Sequence, residues 1–143
     1  MEPIEKDVVL EADADRVWRA LTNKDELSNW MMMPTNFNPK VGAKFYFQAN
    51  PNEEWTSKVT GKVKELDKNE KLSFTWNSDQ LSKETLVTFT LSEKENKTKL
   101  KLIHSGWEET EDDENNMRNL YNEGWGQRLF ENLKELVSQK FIV

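Results

Sequence analysis

The sequence predicts an α+β domain: six antiparallel strands in one curved sheet wrapped around a long C-terminal helix, with two short helices between strands one and two. Two periodicities predict it. Six segments carry apolar side chains at a spacing of two: Ile4, Val8 and Leu10; Phe45 and Phe47; Trp55, Val59 and Val63; Leu72, Phe74 and Trp76; Val87, Phe89 and Leu91; Leu100 and Leu102. Such alternation gives a sheet one wet face and one dry face. From Met117 the spacing becomes four, and Met117, Tyr121, Trp125, Leu129, Leu133 and Val137 form a drifting stripe on one helix. Helices at the two ends of an antiparallel run of strands define an α+β layout.

Strand one is expected from Ile4 to Glu11. Asp13 then suits a helix N-cap, because its carboxylate can accept an otherwise unpaired helix N–H. The helix that follows stacks Ala14, Val17 and Leu21, and Thr22-Asn23 breaks it. A second short helix, Lys24 to Trp30, turns Leu27 and Trp30 inward. Pro34, Pro39 and Gly42 forbid regular structure in the loop after Met31-Met32-Met33. Five strands are expected as a meander over Ala43–Gln48, Glu54–Leu66, Lys71–Asn77, Thr85–Glu93 and Thr98–Ser105. Asn-, Asp- and Pro-containing turns separate them. Gly61, inside the longest strand, suggests a bulge or bend. Gly106 ends the sheet, an acidic loop follows, and the terminal helix is placed at Asn115 to Gln139.

The 143 residues are most simply read as one domain spanning 1–143. Charged residues make up 32% of the chain, but its 36% hydrophobic residues are patterned, which argues against disorder. A net charge of −6 argues against nucleic acid and anionic membranes as partners. No cysteine is present, which excludes disulfides and thiolate chemistry, and the single histidine is too few for a typical zinc site. No apolar stretch approaches the ~20 residues of a membrane span. A soluble, cytoplasmic protein with no cofactor and no metal is expected.

Several segments resemble a known family. Val17-Trp18-Arg19-Ala20-Leu21-Thr22 with Leu27 and Trp30 is the first, and Phe37-Asn38-Pro39-Lys40-Val41-Gly42 with Phe45 the second. Thr60-Gly61-Lys62-Val63 through Leu72-Ser73-Phe74-Thr75-Trp76 follows, then Thr98 with His104-Ser105-Gly106-Trp107, and Gly124-Trp125 with Leu129 and Leu133. Together they are similar to single-domain bacterial members of the START-like, helix-grip superfamily (the Bet v allergen and polyketide-cyclase group). Within it they look most like the branch named after the activator of the heat-shock-protein-ninety ATPase, the AHSA-like branch. The resemblance implies a cavity between the sheet and the last helix, opening near the small helices and loops. Periodicity alone does not distinguish such a hollow from a packed core.

The residues expected to line that cavity are Trp30, Met33, Phe45, Phe47, Trp55, Val59, Phe74, Trp76, Phe89, Leu102, His104, Tyr121, Trp125 and Leu129. The aromatics among them suit a flat hydrophobic ligand and equally an ordinary core. His104 shares the parity of Leu100 and Leu102. It is either a polar group that orients a ligand or titrates near neutrality, or a satisfied histidine at the cavity rim. Met31, Met32 and Met33 form either a pliable lid or a partly exposed loop with one side chain tucked in. Gly124 and Gly126, flanking Trp125 at the helix opening, provide either close approach to the sheet or room for a ligand. Six of the seven residues from Glu108 to Glu114 are acidic; they could hold a cation or a basic partner, or form a solvated loop before the positive end of the terminal helix.

No nucleophile–base pair, inward carboxylate pair or phosphate-binding loop is present, and Tyr121 with His104 is the only conceivable acid–base couple. The expected function is therefore binding of a small hydrophobic molecule (lipid, polyketide- or flavonoid-like) without catalysis. The alternative is a co-chaperone acting on a heat-shock ATPase, with a cyclase- or hydrolase-type enzyme behind both.

Overall fold

The computed structural model describes residues 2–48, 58–78, 81, 83–107 and 112–138. In chain order the elements are β1 (Ile4–Leu10), α1 (Ala14–Thr22), α2 (Lys24–Met31), β2 (Lys44–Gln48), β3 (Lys58–Asp67), β4 (Lys71–Trp76), β5 (Thr85–Lys94) and β6 (Lys97–Ser105). A continuous helical run closes the chain: α3 (Asp112–Gln127), a π-helical segment (Arg128–Leu133) and α4 (Lys134–Ser138). The strands form one antiparallel six-stranded sheet in the order β1-β6-β5-β4-β3-β2. The expected α+β helix-grip architecture is the observed one. Trp55 and the first residues expected in the third strand lie outside the described residues, as do Glu108–Glu111 of the acidic stretch.

Local chemistry explains the helix ends. Asp13 caps α1 by accepting the Arg16 N–H at 2.9 Å, and Glu93 reaches from the end of β5 to accept the Ala14 N–H at 2.6 Å. Asn23 serves both short helices. Its N–H closes the last turn of α1 on Arg19 O, while its side chain accepts the N–H groups of Asp25 and Glu26 at the start of α2. α2 stops at Met32, whose φ of 61° is left-handed. Met31 is thereby tucked into the core, Met32 turned to solvent and Met33 left half-buried, so the methionine run is a helix terminus with one side chain inside. The unpaired carbonyls ending α2 are met by the last helix: Arg128 donates to Met31 O and Asn132 to Trp30 O.

The dry face of the sheet carries Ile4, Val8, Leu100, Leu102, Val87, Phe89, Leu72, Phe74, Trp76, Val63 and Phe47, all buried, and packs on Trp125, Leu129, Leu133 and Val137. Val17, Ala20, Leu21, Leu27 and Trp30 of α1 and α2 complete this core. The π-helical segment has a physical reason. A stripe with four-residue spacing runs ahead of a 3.6-residue turn by roughly 40° at each step. A π turn bonds one residue further along and takes up more residues per turn, which swings the stripe back. Leu129, Leu133 and Val137 consequently stay buried.

Two glycine expectations are corrected. The β3 irregularity falls between Val63 and Glu65, not at Gly61. Gly61 is instead where two strands and a ring crowd the backbone: a Cβ there would lie 2.2 Å from Thr75 O and 2.7 Å from Phe45 Cζ. Gly124 and Gly126 stand in the last turn of α3, not at a helix opening. At Gly124 the Arg128 guanidinium folds back over the backbone, 2.8 Å from where a Cβ would be. Gly126 faces Lys6 of β1 with ordinary contact.

Candidate functional site

The inward rings of β2, β4 and β5 touch in sequence across the dry face. Phe45 lies 5.2 Å from Phe74 and 5.6 Å from Phe47 between ring centroids, Phe47 lies 5.6 Å from Trp76, and Phe74 lies 6.1 Å from Phe89. α3 adds Trp125, 5.5 Å from Trp76 and 6.1 Å from Phe89; Trp30 of α2 meets Phe89 edge-on at 6.2 Å. Val59, Leu102 and Leu129 belong to the same buried core, and Met33 packs at its margin. Phe47, Leu102, Leu129 and Trp30 are fully closed to solvent, and Phe45, Val59, Phe74, Trp76, Phe89 and Trp125 nearly so. Where the side chains are described, the region between sheet and helix is occupied by rings.

One end of this layer is chemically different. His104, on β6 between Ile4 of β1 and Val87 of β5, is fully enclosed. Around it stand Trp107 at 4.5 Å, Tyr121 at 5.7 Å, Trp76 at 5.8 Å and Trp125 at 6.1 Å. Gly106, with φ of 97°, turns the chain just after β6, and Trp107 folds back to donate its indole N–H to His104 O at 2.9 Å. Of the readings of this residue, titration near neutrality is corrected, and the satisfied histidine is observed, enclosed and not at a rim. Burial pushes its pKa down from 6.5 to about 3, so the ring is neutral.

The tautomer follows from the donors. An indole N–H can only donate, and Trp125 Nε1 lies 3.0 Å from His104 Nδ1, so Nδ1 is the acceptor and Nε2 bears the proton. Nε2–H then donates to Thr85 Oγ1 at 2.7 Å, and the threonine hydroxyl donates onward to Trp76 O at 2.8 Å. Each donor along this relay meets one acceptor, with the Thr85 hydroxyl both accepting and donating. Both ring nitrogens are engaged with partners other than Tyr121, so the conceivable His104–Tyr121 couple is not assembled.

Tyr121 is the half-buried member of the group. Burial raises its pKa above the usual 10, against smaller opposing effects of Trp76, Ser78 and the Arg128 charge. The indole N–H of Trp76 is turned toward the tyrosine hydroxyl closely enough to favour the phenolate. It nevertheless makes no hydrogen bond of acceptable length and angle, and Trp76 is only 2% exposed. Burial of an indole N–H without a partner is uncommon.

Sequence reasoning missed Thr85 and Trp107. Thr85 was legible in principle, since it shares the inward parity of Val87 and Phe89. Trp107 lies beyond the strand, where parity no longer places a side chain. A separate surface groove of about 330 Å³, lined by Asn29, Met32, Asn132, Glu135 and Leu136, contains none of the expected site residues. Among the described residues no group of three or more His, Asp or Glu is placed to hold a metal, and no helix is long and apolar enough to cross a membrane.

A sheet gripping a C-terminal helix over an aromatic interior defines the helix-grip class. Residues 11–138 match the family described as Activator of Hsp90 ATPase homolog 1-like protein, and the chain belongs to that family. Similar solved structures include protein MLL2253 from Mesorhizobium loti, at 27% identity and a TM-score of 0.80, covering 96% of this chain and 99% of that one. The Aha1 dimer from Colwellia psychrerythraea is similar at 24% identity and a TM-score of 0.79, with 96% of each chain covered. An HSP90 activator from Plasmodium falciparum, PFC0360w, aligns at 22% identity and a TM-score of 0.76, again over 96% of each chain. No curated protein matches the chain.

Proposed function

We propose that this protein binds a small hydrophobic molecule, of lipid, polyketide or flavonoid type, at the Tyr121 end of its aromatic layer and does not transform it. The observation that supports this reading is the environment of His104. An aromatic shell surrounds it, one member of the shell is part-exposed, and the only imidazole is neutral with both nitrogens engaged. Such a site offers a flat guest apolar contact and a few fixed polar atoms but no free base for proton transfer.

Because the rings already touch, entry requires Tyr121 and its neighbours to move aside. Titrating tryptophan fluorescence with a panel of apolar ligands tests the proposal. Saturable quenching by at least one of them is the expected result, and a flat response from all of them would dismiss it.

A second reading follows from family membership: modulation of a heat-shock ATPase. The C-terminal helical run presents Leu120 and Phe130, each more than 40% exposed, to a partner protein. Turnover of the cognate bacterial chaperone, measured with purified components, decides this reading; an unchanged rate at saturating protein rejects it.

A further inference from the structure

We infer that the guest carries a neutral hydrogen-bond acceptor, a carbonyl or similar oxygen, that docks between the Trp76 indole N–H and the Tyr121 hydroxyl. This rests on the binding reading above and specifies the chemistry of the ligand. Four features of the site point to it.

Trp76 is enclosed at 2% exposure, yet its N–H has no formed hydrogen bond. An unmet buried donor is a cost that an acceptor removes. The polar side chain turned toward it is Tyr121, whose hydroxyl also meets Ser78; Trp125 donates to His104, Trp107 donates to a carbonyl, and Thr85 donates to Trp76 O. Tyr121 is the half-buried neighbour, with its ring edge-on to Trp76 at 5.7 Å and tilted 40° to Trp107 at 5.6 Å. A planar molecule inserted against these faces places its oxygen within reach of two donors, one indole and one phenol.

The charge state of the acceptor also follows. Arg128, the cation that acts on Tyr121, already donates to Met31 O and Gly124 O. A carboxylate would lose its hydration among the rings, a loss that the Arg128 charge reaching Tyr121 offsets only in part. A neutral oxygen avoids that loss. Discrimination should be strong, because a guest without an oxygen leaves the indole donor unmet in the complex as well.

Fluorene and 9-fluorenone share one flat tricyclic frame and differ by a single carbonyl, so they test the inference directly. Affinities are measured by fluorescence quenching, and the six indole N–H resonances are followed in a ¹H–¹⁵N correlation spectrum. The expected result is binding of both, with fluorenone tighter by about tenfold and the Trp76 Nε1–H resonance moved downfield by fluorenone alone. Tyr121→Phe, which keeps the ring, should shrink the ratio of the two affinities. Trp76→Phe should abolish the preference; if that variant unfolds, the Trp76 resonance in the unsubstituted protein still decides. Equal affinities with no selective Trp76 shift would overturn the inference while leaving the binding reading intact. Failure of both compounds to bind would overturn both.

Discussion

Trp125 donates its indole N–H to Nδ1 of His104 at 3.0 Å, and this one bond ties the C-terminal helix to the dry face of the sheet and sets the histidine tautomer. It also makes protonation of His104 doubly unfavourable. Burial already holds the pKa at about 3, and a proton on Nδ1 would face another donor.

The sign of the resulting pH dependence is fixed. Between pH 6.5 and about 3 the unfolded chain binds a proton that the folded chain refuses. Stability is therefore fully present above 6.5 and falls as the pH drops through this window, at about 1.4 kcal/mol per unit. Urea unfolding at pH 7 and pH 5 should show the unsubstituted protein losing about 2 kcal/mol more than His104→Gln. Parallel losses in the two proteins would mean that His104 is not buried neutral.

Trp125→Phe keeps an aromatic ring in place but removes the donor, leaving Nδ1 buried and unpaired. A loss of about 1–3 kcal/mol is expected. The ¹⁵N shifts of the His104 ring provide the second readout, since Nδ1 should lose its hydrogen-bonded signature while Nε2 keeps its proton.

Gly61→Ala places a methyl 2.2 Å from Thr75 O, a backbone atom of the paired strand, and 2.7 Å from Phe45 Cζ. The phenyl ring can yield; the strand cannot without parting from its neighbour. A loss of more than about 2 kcal/mol is expected in chemical unfolding, and a neutral substitution would show that β3 and β4 are less closely apposed.

Met32 terminates α2 with φ of 61° while its side chain lies largely in solvent. Glycine adopts that conformation at no steric cost. Met32→Gly should therefore raise stability by about 0.5–1 kcal/mol, read as a higher melting temperature with ligand affinity unchanged.

Most of the sheet was legible because a period of two assigns each strand residue to a face. Ile4, Phe47, Phe74, Trp76, Phe89 and Leu102 are all buried as that rule requires. The cap of α1 was legible for a similar reason: Asp13 acts through a bond to Arg16, three positions away. The state of His104 was not legible, because it depends on Thr85 and Trp125, distant in sequence and joined to it only by the register of β5 and the path of α3. The role of Gly61 was not legible, because a glycine in a strand signals a bulge, a bend or a close approach, and only the position of Thr75 distinguishes them. The π-helical segment had a trace in the sequence, the strict spacing of four from Tyr121 to Val137, whose consequence becomes visible once burial is known.

Uptake of a guest beside Trp76 and Trp125 is tested most directly in the indole N–H region of the ¹H–¹⁵N spectrum. During titration with 9-fluorenone the Trp76 and Trp125 resonances should move saturably and together, with one dissociation constant. Movement of neither, or of Trp18 alone on the outer part of α1, would contradict it.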